Sequence, residues 1–150
     1  MRIVIFEDST HDDFYPLSLT RPLWDLRMGL FTFSERIVRL ASREFPRAAV
    51  SYCGRDALAE FCRETDPGMS YNEPLNGGDL LFVNALYAPR SICIEPGTAL
   101  ARGSRLAAAY FTESPASVPA VCDAAWAKSA GLAVRELPPD AVFADHIWRI

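Results

Sequence analysis

The sequence predicts an α/β protein with a mostly parallel sheet and a late antiparallel hairpin. Three observations carry this. The apolar runs at residues 2–6 and 80–84 are continuous rather than alternating, as strands covered on both faces are. Helical patterns fall between strand candidates, giving the alternation strand, helix, strand, helix, strand. Two further apolar runs flank Arg102, Gly103 and Ser104 at hairpin spacing.

In chain order, residues 2–6 are short and β-branched and read as a buried strand. Residues 32–45 read as an amphipathic helix, with Phe33, Ile37, Leu40, Ala41 and Phe45 on one face. Thr32 followed by Glu35 is a capping box, and Pro46 stops the helix. Residues 48–52 are a second strand, Gly54 turns the chain, and residues 56–63 form a short helix. Residues 65–79, rich in Pro, Gly, Asn and Asp, form a loop. Residues 80–84 are the central strand, flanked by the strand at 2–6. Residues 92–94 are a short strand candidate, and 98–101 with 106–111 make the hairpin. Residues 117–130 are alanine-rich and read as a helix ended by Gly131. Residues 132–137 are a last strand, followed by Pro138 and Pro139.

Composition narrows the function. The 150 residues are one domain by length, half are apolar, and the net charge is −4. A mildly acidic chain without a basic run offers nucleic acid no electrostatic footprint. No stretch reaches transmembrane length, and Met1-Arg2 opens directly into a strand, so a membrane partner and a signal peptide are not expected. The four cysteines, Cys53, Cys62, Cys93 and Cys122, are widely spaced and read as reduced thiols of a cytoplasmic protein. The apolar end, from His146 to Ile150, reads either as a segment packed on the core or as the end of a domain cut from a longer protein.

Between the first strand and first helix lies a connection far longer than the two to six residues usual there. It sits where ligands bind in open α/β sheets, beyond the carboxyl ends of the strands. It carries Arg21, Asp25 and Arg27 between hydrophobic anchors. Glu7 and Asp8 close the first strand, at the right place for a metal or ribose ligand; an N-cap or a solvated loop is the alternative. Asp8, His11, Asp12 and Asp13 offer oxygen and nitrogen ligands to a divalent ion, although consecutive loop acids are usually solvated. Arg21 suits a bidentate phosphate contact, with pairing to Asp25 as its other role. Arg27 reads as a loop-holding residue acting through Asp25. Trp24 and Phe31 read as core anchors rather than base-stacking platforms. A phospho-receiver domain is excluded because Asn84 stands where it needs an aspartate. A dinucleotide-binding domain is excluded because Gly-x-Gly-x-x-Gly is absent after the first strand.

The segment Pro16-Leu-Ser-Leu-Thr-Arg-Pro22 resembles the Pro-Leu-Thr-x-x-Arg-Pro segment of sugar-1-phosphate nucleotidyltransferases, which there too joins the first strand to the first helix. The string from Thr20 to Gly29, with Thr32 and Glu35, is similar to a divergent branch. In that branch the domain precedes a left-handed β-helix, as in bifunctional N-acetylglucosamine-1-phosphate uridyltransferases. Residues 80–84 are similar to the family strand that ends in Asn-Gly-Asp. The resemblance implies a three-layer, Rossmann-like fold and transfer of a nucleotidyl group from a nucleoside triphosphate to a sugar-1-phosphate. It implies Mg²⁺ on one or two carboxylates, Asp8 among them, and oligomerisation through a β-helix beyond this chain. Carried onto this sequence, the catalytic pair is Arg21 and Asp25, and the nucleotide contacts are Glu7, Asp8, Arg21, Arg27 and Asn84.

Three departures bear on activity. The family's glycine loop, whose N–H groups cradle phosphates, is replaced by residues 7–13, which hold four acids and no glycine. The family lysine after Arg-Pro is Leu23, and Asn84 is followed by Ala85 and Leu86 rather than by a metal-binding aspartate. The expectation is a domain of this fold in which residues 1–150 alone transfer little or no nucleotide. The alternative is a degenerate binding or assembly module attached to a β-helix.

Overall fold

A computed structural model describes residues 1–146. Residues 147–150, most of the apolar end, lie outside the described residues. Six strands form one sheet: β1 (Arg2–Phe6), β4 (Ala49–Cys53), β5 (Leu80–Asn84), β6 (Thr98–Arg102), β7 (Arg105–Phe111) and β8 (Ala133–Glu136), in the order β4-β1-β5-β7-β6-β8. β1 pairs in parallel with β4 and β5, and β6 with β8. β7 runs antiparallel to both neighbours, β5 and β6. The central strand is therefore β5, beside β1, as expected. Gly103, at φ +59°, turns the β6–β7 hairpin in a conformation that side-chain-bearing residues avoid.

Alternation along the strands splits the core into two layers. Ile3, Ile5, Leu81 and Val83 face one side, where Phe33, Ile37 and Ala41 of α1 (Phe33–Glu44) bury with Phe14, Leu23 and Trp24. Val4, Phe6, Leu80 and Phe82 face the other, with Cys122, Leu132 and Ala127 of α3 (Ala124–Ser129). The result is a three-layer α/β fold. Thr32 accepts from the Glu35 backbone N–H at 3.1 Å, and the Glu35 carboxylate accepts from the Thr32 N–H at 2.7 Å, completing the expected capping box.

The first connection is built from three 3₁₀ turns (Ser9–Phe14, Leu17–Leu19, Leu23–Asp25) and a small hairpin of β2 (Arg27–Met28) and β3 (Phe31–Thr32). Trp24 is fully buried, with the Tyr52 and Tyr71 ring centroids at 5.1 and 5.7 Å, so it is a core anchor. Phe31 is half-buried beneath the Arg39 guanidinium.

Several boundaries differ from expectation. Residues 92–94 form no strand: Ile92 is buried, Cys93 is exposed and, among the described residues, no strand pairs with them. The helix expected from residue 117 begins only at Ala124, where Asp123 caps it by accepting from the Trp126 N–H at 2.7 Å; Pro119 lies in the irregular stretch before it. The helix expected at 56–63 is a 3₁₀ turn, Asp56–Leu58, running into α2 (Ala59–Thr65). After β8 the chain returns beside the exit of β5, with hydrogen bonds from the Ala88 N–H to the Val142 carbonyl and from the Ala144 N–H to the Leu86 carbonyl.

Candidate functional site

β1 delivers two adjacent acids beyond its carboxyl end, and each meets an arginine from far along the chain. Glu7 is 5% exposed. Its Oε1 accepts from the Leu23 N–H at 2.6 Å and from Arg55 Nη2 at 3.1 Å; its Oε2 accepts from Arg55 Nε at 3.0 Å and the Arg55 backbone N–H at 3.3 Å. The same guanidinium donates to the Ser18 and Arg21 carbonyls, and the Arg55 carbonyl accepts from the Tyr71 hydroxyl at 2.6 Å. Arg55 thus fixes the first connection to the turn after β4. Gly54 is required there, because a Cβ would stand 2.8 Å from Trp24 Cη2 and 2.9 Å from Glu7 Oε2.

Asp8 caps the first 3₁₀ turn, its Oδ1 accepting from the Thr10 N–H at 3.0 Å. Its Oδ2 accepts from Asn84 Nδ2 at 2.8 Å and from Arg105 Nε at 2.6 Å. Burial pushes this carboxyl up, but the Arg105 charge and the hydrogen bonds from Thr10 and Asn84 outweigh it and hold the pKa below its ordinary value. Arg105 also donates to Thr10 and Asp145 and lies 4.1 Å over the Phe143 ring.

This donor set does not fit a resident Mg²⁺ at Asp8. Both carboxylate oxygens are taken, one by a cation that a metal would have to displace. Among the described residues, no group of three or more His, Cys, Asp or Glu side chains is placed to hold a metal ion.

A cavity of about 890 Å³ opens beyond the carboxyl ends of β1 and β4. Its floor is Phe6, Glu7, Cys53 and Gly54. One wall is the 72–77 segment and another the 114–122 segment, which is mostly small and apolar. Asn72 braces the rim: its Oδ1 accepts from the Gly54 N–H, and its Nδ2 donates to the Gly54 carbonyl and to Asp56, all at 2.9 Å. Burial pushes the thiols of Cys53 and Cys122, which both line the cavity, up to about 11 and about 12.

The predicted residues are distributed as follows. Glu7 and His11 line the cavity, whereas Arg21, Asp25, Arg27 and Asn84 do not. Arg21 is exposed beside it, its carbonyl held by the cavity-lining Arg55. Asp25 is half-buried; burial raises its pKa, against a lowering contribution from Arg21. Arg27 donates to the Leu30 carbonyl at 3.2 Å and so holds its own hairpin. Asn84 is fully buried, donating also to the Leu106 carbonyl and accepting from the Leu86 N–H, which ties the exit of β5 to Asp8. His11 places Nδ1 3.3 Å from the Asp8 carbonyl and Nε2 3.4 Å from Asp12. Sequence reasoning missed Arg55, Asn72 and Arg105. An arginine directly after a strand-ending glycine was the available signal for Arg55.

Residues 3–133 match a family model described as sugar nucleotidyl transferase. No curated protein matches the chain.

Proposed function

From the chain's membership of the sugar nucleotidyl transferase family, we propose that the 890 Å³ cavity is a nucleotide site of a domain built for nucleotidyl transfer to a sugar-1-phosphate, a reaction that residues 1–150 alone turn over little. The observation that carries this reading is position: the cavity lies beyond the carboxyl ends of two adjacent parallel strands, where open α/β sheets hold ligands. The reaction joins an oxygen of the sugar-1-phosphate to the α-phosphorus and breaks the α–β phosphoanhydride, so that pyrophosphate leaves with the bond's electron pair. The attacking oxygen is already anionic, so no general base is needed. The protein's task is to align two anions and neutralise charge.

In this reading the cavity holds the nucleoside, and Arg21 at its edge contacts phosphate, its backbone held by the Arg55 hydrogen bond to its carbonyl and its charge felt by the nearby Asp25. Glu7, Asp8, Arg27 and Asn84 act indirectly: they hold the connection and the strand exits rather than the substrate. The finer likeness to N-terminal domains of uridyltransferases that carry a β-helix belongs to this proposal, as do a cytoplasmic location and assembly through that helix. No helix among the described residues is long and apolar enough to cross a membrane.

A second reading, a nucleotide-binding module without turnover, is favoured by one specific observation. Both acids at the end of β1 are closed into arginine pairs, which leaves few donors for phosphate. Titration of the chain with nucleoside triphosphates, with and without Mg²⁺, tests the shared premise. Saturable binding weakened by Arg21→Ala is expected. Absence of binding for all four common bases contradicts the nucleotide site.

A further inference from the structure

The environment of Glu7 is that of a bound anion. Its carboxylate takes two backbone N–H groups, from Leu23 and Arg55, and a bidentate guanidinium, from Arg55. A glycine lies against it so closely that a Cβ would reach 2.9 Å from Oε2. Converging backbone donors, a forked guanidinium and a close glycine approach are what a protein presents to a phosphate group. The carboxylate lies on the floor of the cavity. It is 2% exposed at its side chain, against 21% for Arg55.

We infer that Glu7 is a built-in occupant of a phosphate cradle. The chain satisfies Leu23 N–H, Arg55 N–H and the Arg55 guanidinium with its own carboxylate, at the position where a ligand phosphate would otherwise sit. Among the charged residues of the cavity lining, Asp56 and Glu73 join Glu7 against Arg55. The wild-type cavity therefore selects the uncharged, hydroxyl-bearing part of a ligand and repels phosphate from its floor. Removing the carboxylate uncovers the cradle. This rests on the reading of the cavity as the nucleotide site, and it refines that reading by placing the phosphates at the rim rather than on the floor.

Calorimetric titration of the 150-residue chain with inorganic pyrophosphate tests it in four forms: wild type, Glu7→Ala, Glu7→Ser and Glu7→Ser/Arg55→Leu. Both short side chains remove the charge and vacate the cradle, and Glu7→Ser, which keeps a polar group beside the freed donors, carries the test if Glu7→Ala does not fold. At least tenfold tighter pyrophosphate binding is expected for Glu7→Ser than for wild type. The gain should be lost in the double variant, and pyrophosphate should raise the melting temperature of Glu7→Ser but not of wild type. Equal binding by wild type and Glu7→Ser, or a gain that survives Arg55→Leu, overturns the inference. Because pyrophosphate probes the cradle alone, failure of wild type to bind nucleotides would contradict the nucleotide reading and leave this comparison decisive.

Discussion

Glu7 and Asp8 are consecutive, yet they serve different neighbours. One fastens the first connection to the turn after β4, and the other fastens it to β5 and β7. A buried carboxylate is tolerated only when such donors replace its water. Asp25 lacks that compensation: it is half-buried and its pKa is raised, chiefly by burial. The signs of the two aspartates are therefore opposite. Asp8, with a depressed pKa, contributes stability above its ordinary value of 3.8 that is lost as pH falls through its lower folded value. Asp25 costs stability as pH rises from 3.8 through its higher folded value. Asp25→Asn is accordingly predicted to raise the melting temperature at pH 7, with the difference vanishing below about pH 3.8. A melting temperature lower than wild type at pH 7 would show that Asp25 pairs productively with Arg21. At neutral pH, Cys53, Cys62 and Cys122 stay protonated, with pKa values of about 11, 11 and 12. Alkylation at pH 7.5 is predicted to label the exposed Cys93 first, which mass spectrometry of digested protein would read directly.

Elements whose signals are local were legible in the sequence. The continuous runs at 2–6 and 80–84 became β1 and β5, and the capping box placed the start of α1 at Phe33. Replacing Thr32 by Ala is predicted to cost about 1 kcal/mol, by loss of a cap. For a chain of this size that lowers the melting temperature by roughly 2–4 °C, measurable by calorimetry. Residues 92–94 misled because a short apolar run says nothing about whether a strand lies beside it. In residues 117–123 helix propensity is overridden by Pro119, and the Asp123 cap sets the start at Ala124. The site was less legible than the fold. Arg55 meets Glu7 across 48 residues and Arg105 meets Asp8 across 97, and neither pairing leaves a periodic trace. The long first connection lies at the same end of the sheet as the cavity, whose walls come from 72–77 and 114–122, which composition presents as ordinary loops.

At the scale of the whole molecule, the parallel pairing of β1 with β4 places the exits of both strands on the floor of one cavity. Shape and charge there pull apart. The cavity is large enough for a nucleotide, while its floor is held by an internal ion pair and its lining carries two further acids, Asp56 and Glu73. Removing one preorganised donor typically slows such chemistry by about two to three decades. Here the glycine loop, the lysine and the metal-binding aspartate of the resembled family are all replaced, although such losses do not simply add. The central claim is thus a nucleotidyltransferase domain that binds nucleotide but by itself turns over little. The most direct test is pyrophosphate release by residues 1–150 with nucleoside triphosphate, sugar-1-phosphate and Mg²⁺. The account predicts saturable nucleotide binding with release near the uncatalysed background. Robust Mg²⁺-dependent release, abolished by Arg21→Ala, would contradict it.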